Sequence, residues 1–169
     1  QFVLYAQIVV SALNTMASRF VTIHIHRGEE QEAREYFSSV FFGNVIMAGI
    51  FLLPALVIVI FMGNLPFLHV PADALHDVQL LWAFVFLNFF LSIIMSIYSV
   101  STYAMNRLDL TSIRSMYADI LRIIFLFGTF LLWRPALWLV GAASLISTCY
   151  TAFWNRRYTR QLLPGITVR

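Results

Sequence analysis

Charged side chains occur inside two stretches of the sequence that are otherwise apolar. Arg122 follows Asp119 on the same predicted helix face, and Arg19 lies in the first apolar stretch. Arginine at the centre of a bilayer costs about 2.5–3.5 kcal/mol on insertion scales, so each arginine needs a partner or a function. For Arg122 the interpretations are an ion pair with Asp119 or contact with an anionic substrate. For Arg19 the favoured interpretation is that its long side chain extends to the membrane interface and keeps the charge in water.

Uncharged polar side chains recur at helical spacing and mark one face of four predicted helices. Three of them, Gln7, Asn14 and Asn88, are larger and more polar than helix packing requires. Packing through small residues is the favoured interpretation for the last helix, and a hydrophilic cavity between helices is the alternative for the others. The predicted substrate-pathway residues are Arg122, Arg19, Asp119, Asn14, Gln7 and Asn88.

Motifs for other chemistry are weak. His24 and His26 flank a single residue, and on a helix their rings point about 200° apart. No third ligand stands at a suitable spacing, so we predict no metal site. The sequence has no glycine-rich phosphate loop and no G-x-S-x-G or H-E-x-x-H motif. We therefore predict that the protein is not an enzyme and needs no cofactor.

The composition of the 169-residue chain is that of a membrane protein. Hydrophobic residues make up 60% and charged residues 11%, against about 45–50% and about 25% in soluble domains. These values exclude a disordered chain, a nucleic-acid binder and an ordinary cytosolic enzyme. The single cysteine, Cys149, excludes an internal disulfide.

Long runs without charged residues predict five transmembrane helices, because about 20 apolar residues span a bilayer. The expected fold is all-α, a polytopic helical bundle in a single membrane domain. The predicted helices are residues 2–23, 37–62, 78–103, 111–133 and 136–155, followed by a basic tail at 156–169.

The arginines are distributed unevenly between the connections of these helices. The first and third connections and the tail carry nearly all of them, whereas the second and fourth connections carry only Arg134. The positive-inside rule then predicts a cytoplasmic C-terminus and an external N-terminus. Because the sequence begins inside an apolar run without Met, we expect a fragment that lacks at least one preceding helix.

Several short segments carry a resemblance to a known family. They are residues 18–22 (SRFVT), 27–29 (RGE), 106–113 (NRLDLTSI) and 135–146 (PALWLVGAASLI). Together they resemble bacterial polysaccharide flippases of the multidrug/oligosaccharidyl-lipid/polysaccharide exporter superfamily. The resemblance implies that the five helices are helices two to six of a longer chain. They would form most of the N-terminal lobe of a two-lobed, MATE-like transporter.

The resemblance also implies an activity. Such a flippase moves a lipid-linked oligosaccharide, carried on a polyprenyl diphosphate, across the bacterial cytoplasmic membrane by alternating access. Arg19 and Arg122 are the cations that fit contact with the anionic substrate. The implied partners are the lipid-linked glycan, the lipid bilayer and the C-terminal lobe of the same chain, with no nucleic acid.

Other functions stay open at this point. A drug or cation antiporter of the same fold would need an acidic intramembrane site, for which Asp119 is the candidate. A non-transporting membrane assembly subunit would not need the polar helix faces. A membrane-embedded transferase would need paired acids or a His–acid site near one interface, and only the glutamates at residues 29–35 offer acids on the cytoplasmic side.

Overall fold

The computed structural model describes residues 2–61, 75–132 and 136–165, without the side chains of residues 2–7, 9, 13 and 132. These residues form an all-α bundle with no strand, as predicted. The elements are α1 (Phe2–His26), α2 (Glu30–Phe61), α3 (Leu75–Ser96), a 3₁₀ turn (Ile97–Ser99), α4 (Val100–Ala104), α5 (Leu108–Leu132) and α6 (Trp138–Leu162).

Two of the described helical segments are long and apolar enough to cross a membrane. They are α2, with 32 residues, and the continuous segment Leu75–Ala104, with 30 residues; about 20 residues are needed. α2 begins at Glu30, earlier than the predicted residue 37. Glu30 and Glu32 lie in its first turn, where carboxylates interact favourably with the helix dipole.

Two tight turns fold the helices back on each other. Gly28 has a φ of 77° and Asn106 a φ of 50°, so both adopt the left-handed conformation that ends helices. After each of them an amide reaches back to the preceding helix, from Glu29 N to His24 O at 2.9 Å and from Arg107 N to Thr102 O at 2.8 Å. Glycine at one turn and asparagine at the other are the residue types that tolerate this conformation best.

The helices pack as a chain of neighbours. α2 packs between α1 and α3, α3 packs on α6, and α6 packs on α5, while α1 also contacts α4. α1 and α5 are therefore the two edges of the bundle. The end at which α1, α4 and α6 finish and α2 and α5 begin carries the arginines at positions 19, 27, 34, 107, 114, 156, 157 and 160. We call it the arginine-rich end.

Two apolar clusters join α1 and α2 to the segment that runs from α3 to α4. The cluster at the arginine-rich end includes Val21, Phe37 and Ile97, and Leu163 from the end of α6 joins it. The second cluster, farther along the same helices, consists of Val10, Ala48, Phe89 and Ile93. Three residues of the second cluster, Val10, Phe89 and Ile93, also line the cleft described below.

The contact between α3 and α6 is closest at Gly141. A Cβ atom built on this glycine would lie 2.8 Å from Phe84 Cβ and 3.3 Å from the backbone oxygen of Leu81. Contacts this short are closer than van der Waals packing allows, so only glycine fits here without a shift of α3. A small residue at a close helix crossing is typical of membrane helix interfaces.

We expect Gly141→Ala to destabilise the bundle, because the added methyl group overpacks the α3–α6 contact. Overpacking of this kind costs about 1–3 kcal/mol and lowers Tm by about 2–4 °C per kcal/mol in a protein of this size. Thermal unfolding in detergent measures the effect. Gly49→Ala is the control, since its Cβ would meet no atom within 4 Å. Equal Tm values for Gly141→Ala and the unmodified protein would contradict the prediction.

Candidate polar cleft

An open cleft of about 1020 Å³ lies between α1 and α3. The residues of α1 that line it include Ser11, Asn14, Thr15 and Ser18, and those of α3 include Ser92 and Ser96. The polar faces predicted on the first and third helices therefore meet in one space. Their hydroxyl and amide groups place uncharged polar atoms in a lining that also includes the apolar side chains of Phe89 and Ile93.

A neighbouring cavity of about 300 Å³ lies towards the arginine-rich end. This cavity shares Thr15 and Ser18 with the cleft and adds Arg19 and, from the first turn of α5, Thr111. A third cavity of about 150 Å³ shares Ser92 and Ser96 and reaches the α6 residues Thr148, Thr151 and Asn155. We call these three spaces, which share lining residues, the polar cleft. Arg19 lines the part of it that lies towards the arginine-rich end.

Three polar side chains form a network at the base of the cleft. Asn14 Nδ2 donates to Ser96 Oγ at 2.8 Å. Asn44 Nδ2, from α2, lies 3.2 Å from Asn14 Oδ1 and 3.3 Å from Ser96 Oγ. Asn44 is 1% exposed, so its amide is held in the core. The network joins α1, α2 and α3 where the surrounding side chains are apolar.

Asn44 is a site residue that the sequence analysis missed. The signal was present, because this asparagine interrupts an uncharged apolar run in which a polar side chain is costly without a partner. The polar faces of the other helices are stripes of several residues, whereas α2 contributes a single amide. Because Asn44 does not belong to a stripe of polar residues, helical periodicity does not reveal it.

The predicted residues on α5 lie apart from this network. Asp119 and Arg122 are both exposed, and among the described residues no ion pair joins them within 4.0 Å. Arg122 follows Thr111 by about three helical turns on the same face of α5. Since Thr111 lines the cleft, the face that carries Arg122 continues along the same edge.

Asn88 and Gln7 are the remaining predicted site residues. Asn88 lies two turns before Ser96 in α3, and its Oδ1 is enclosed without a hydrogen-bond partner among the described residues. It does not line the polar cleft. Gln7 belongs to α1, but its side chain lies outside the part of the chain that the structure describes.

The two histidines of α1 point in different directions. His26 Nδ1 lies 2.9 Å from the backbone oxygen of Thr22. His24 Nδ1 lies 2.7 Å from a carboxylate oxygen of Glu29 and 3.2 Å from one of Glu32, and its ring stacks on Tyr36. His24, Glu29 and Glu32 are the described ligand-type side chains that converge within 4.8 Å of one another. Both glutamates are exposed, and the contacts join the end of α1 to the start of α2.

The turn before α5 holds one exposed ion pair. Arg107 Nε donates to Asp109 Oδ1 at 3.0 Å, and Nη2 donates to Oδ2 at 3.1 Å. This two-point contact lowers the pKa of the Asp109 carboxyl group below its ordinary value. The aspartate also lies in the first turn of α5, where a negative charge is favourable.

Comparisons with known proteins support the assignment of this chain as a membrane protein. No family model matches the chain, and no solved structure matches it. The uncharacterized membrane protein EpsK of Bacillus subtilis (strain 168) is 24% identical over 165 residues. This chain is a helical membrane protein. The match covers 98% of the chain and 32% of EpsK, so the chain spans about a third of the length of this relative.

We expect a double-mutant cycle on Asn44→Ala and Ser96→Ala to show positive coupling, because each variant removes a partner of the same network. Hydrogen bonds between membrane helices are worth about 0.6 kcal/mol on average and up to about 1.7 kcal/mol, so the coupling energy should fall in that range. Unfolding in detergent measures it. A cycle that pairs Ser96→Ala with Ser39→Ala is the control, since Ser39 is exposed on α2. Additive effects of Asn44 and Ser96 would show that the network does not stabilise the bundle.

Proposed function

We propose that this chain is the N-terminal-lobe part of a flippase that moves a lipid-linked oligosaccharide across the bacterial cytoplasmic membrane by alternating access. The observation that carries the proposal is the polar cleft, in which the faces of α1, α3 and α6 and the start of α5 converge, with Arg19 towards one end. The arginine-rich end faces the cytoplasm in this proposal.

The chemistry of the cleft suits such a substrate. A sugar headgroup needs hydrogen bonds that lipid does not offer, and the hydroxyl oxygens of Ser11, Thr15 and Ser92 in the cleft can accept them. The diphosphate needs a cation, and the planar guanidinium of Arg19 can contact two phosphate oxygens at once. The polyprenyl tail stays in the bilayer, so an open-sided cleft accommodates it.

The charge of the cleft favours an anionic substrate over a cationic one. Among the described residues that line it, Arg19 carries a charge and none is acidic. A drug or cation antiporter would place a carboxylate there, and Asp119 instead lies exposed on α5 without a salt bridge to Arg122. The cleft lining also lacks the paired acids that a transferase needs, so the proposed activity includes no chemical step.

The predicted site residues have different roles in this proposed function. Arg19 contacts the diphosphate, and Arg122 on the same side of the bundle offers a second cation as the substrate moves along α5. Asn14 holds Ser96 at the base of the cleft, and Gln7, farther from the arginine-rich end on α1, contacts the substrate beyond the cleft. Asn88 and Asp119 have no substrate contact in this proposal. A C-terminal lobe of the same chain would cover the open side of the cleft, and rocking of the two lobes would expose it to each side in turn.

We expect Arg19→Gln and Arg122→Gln to reduce glycan export at least about tenfold in cells that depend on the full-length protein. A charge-assisted contact to phosphate is worth about 1.5–3 kcal/mol, which corresponds to this loss or more. The assay compares surface glycan with the amount of protein in the membrane. Arg27→Gln is the matched control, because Arg27 is exposed in the turn after α1 and does not line the cleft.

Unchanged export by both variants at normal protein levels would reject the proposed pathway. Export reduced equally by Arg27→Gln would indicate a general effect of arginine on membrane insertion. Continued glycan export by the double variant Arg19→Gln/Arg122→Gln would favour the assembly-subunit alternative.

A further inference from the structure

A second cationic position lies outside the polar cleft, in the seam between α5 and α6. Among the described residues Arg114 is the one charged side chain that is buried, with 8% of its surface exposed. It stands in the second turn of α5, near the arginine-rich end. Neither Arg114 nor its α6 neighbour Tyr158 lines the cleft.

Arg114 has no counter-charge in the described part of the chain. Its Nε and Nη1 atoms are enclosed without a hydrogen-bond partner. No acidic residue of the described ranges forms a salt bridge with it, and residues 166–169, which follow α6, include no Asp or Glu. A guanidinium stays charged in proteins, and an enclosed charge is costly unless it is paired. An anion from outside the chain would supply what is missing.

The surroundings of Arg114 fit an anionic group at a membrane interface. Tyr158 is a half-buried residue of α6, the helix on which α5 packs, and it lies near Arg114. Tyr158 packs on Trp154 with 5.5 Å between ring centroids, and the guanidinium of Arg157 lies 5.1 Å from the Trp154 ring. Tyrosine, tryptophan and arginine together are typical of the level at which lipid headgroups lie. The seam thus combines an unpaired cation, a hydroxyl donor and a second arginine nearby.

We propose that a phosphate group binds in the α5–α6 seam between Arg114 and Tyr158. The guanidinium donates to two phosphate oxygens, and the Tyr158 hydroxyl donates to a third acceptor position. The phosphate belongs either to the headgroup of an anionic phospholipid or to a soluble phosphate compound. This site is separate from the proposed substrate pathway and does not depend on it.

Thermal unfolding of the full-length protein tests the site. In vesicles that contain phosphatidylglycerol, we expect a Tm on the order of 5 °C higher than in vesicles of phosphatidylcholine alone. Arg114→Gln should lose at least half of this increment, and Tyr158→Phe should lose a smaller part. Arg34→Gln, at the same end of the bundle but on α2, should keep it. Stabilisation by inorganic pyrophosphate in detergent, lost in Arg114→Gln, would identify a soluble phosphate as the ligand.

Two results would overturn the proposal. The first is equal Tm of the unmodified protein in both lipids together with no effect of pyrophosphate, which needs no variant and therefore stands even if Arg114→Gln does not fold. The second is an Arg114→Gln protein that keeps the full increment. That result would show that anionic lipid acts through the exposed arginines alone.

Discussion

Hydrogen bonds between uncharged polar side chains on different helices are the interactions on which this bundle depends. A bilayer offers no water to polar groups in its interior, so these groups must find partners within the protein. Asn14, Asn44 and Ser96 do so across α1, α2 and α3. Thr111 of α5 donates to Thr102 of α4 at 3.0 Å, and Thr159 of α6 lies 3.0 Å from Tyr98 O and Ser101 Oγ. The segment from α3 to α4 takes part in all of these contacts except the one between Asn44 and Asn14, and it is the centre of the bundle.

The position of α5 explains why the cleft is open. α5 packs mainly on α6, with a smaller contact to α4, and most of its side chains are exposed, including apolar ones such as Phe127 and Leu131. α1 has its partners in α2 and α4. The two edge helices therefore stand on either side of the α3 polar face without closing over it. Apolar exposure on α5 is compatible with lipid. The hydroxyl groups of Thr15, Ser18 and Ser99 in the cleft donate to backbone oxygens of their own segment, so their oxygens remain as acceptors for water or a polar ligand.

The general features of the fold were predictable from composition and periodicity. Uncharged runs predict helices reliably, because few other structures satisfy the backbone in lipid. The polar faces of α1 and α3 were predicted, but the sequence did not show that they face each other. Which helices become neighbours depends on packing, and the polar face of one helix does not determine its partner. Asn44 and Arg114 were not predicted as site residues. Asn44 is an isolated amide. Arg114 is close to a loop in the sequence, and its burial follows only from the packing of α6 on α5.

The spacing of Asp119 and Arg122 illustrates a limit of such predictions. Residues three apart share a helix face, which permits an ion pair but does not form one. Where both side chains are exposed, the gain from pairing is small and their conformational freedom is worth a comparable amount. At Arg107 and Asp109, by contrast, the turn geometry holds the two groups in two-point contact. The local backbone thus decides which of two similar sequence patterns becomes a contact.

The 3₁₀ turn at Ile97–Ser99 changes the direction in which later side chains project. Each residue of a 3₁₀ helix rotates by about 120° instead of about 100°, so three such residues add about 60° of rotation. Ser99 then lies on the same line along the helix as Ser96. Thr102 lies closer to that line than it would in a regular α-helix. One over-wound turn in the central helix therefore extends the polar surface of α3 into α4, as far as the cavity that holds Arg19.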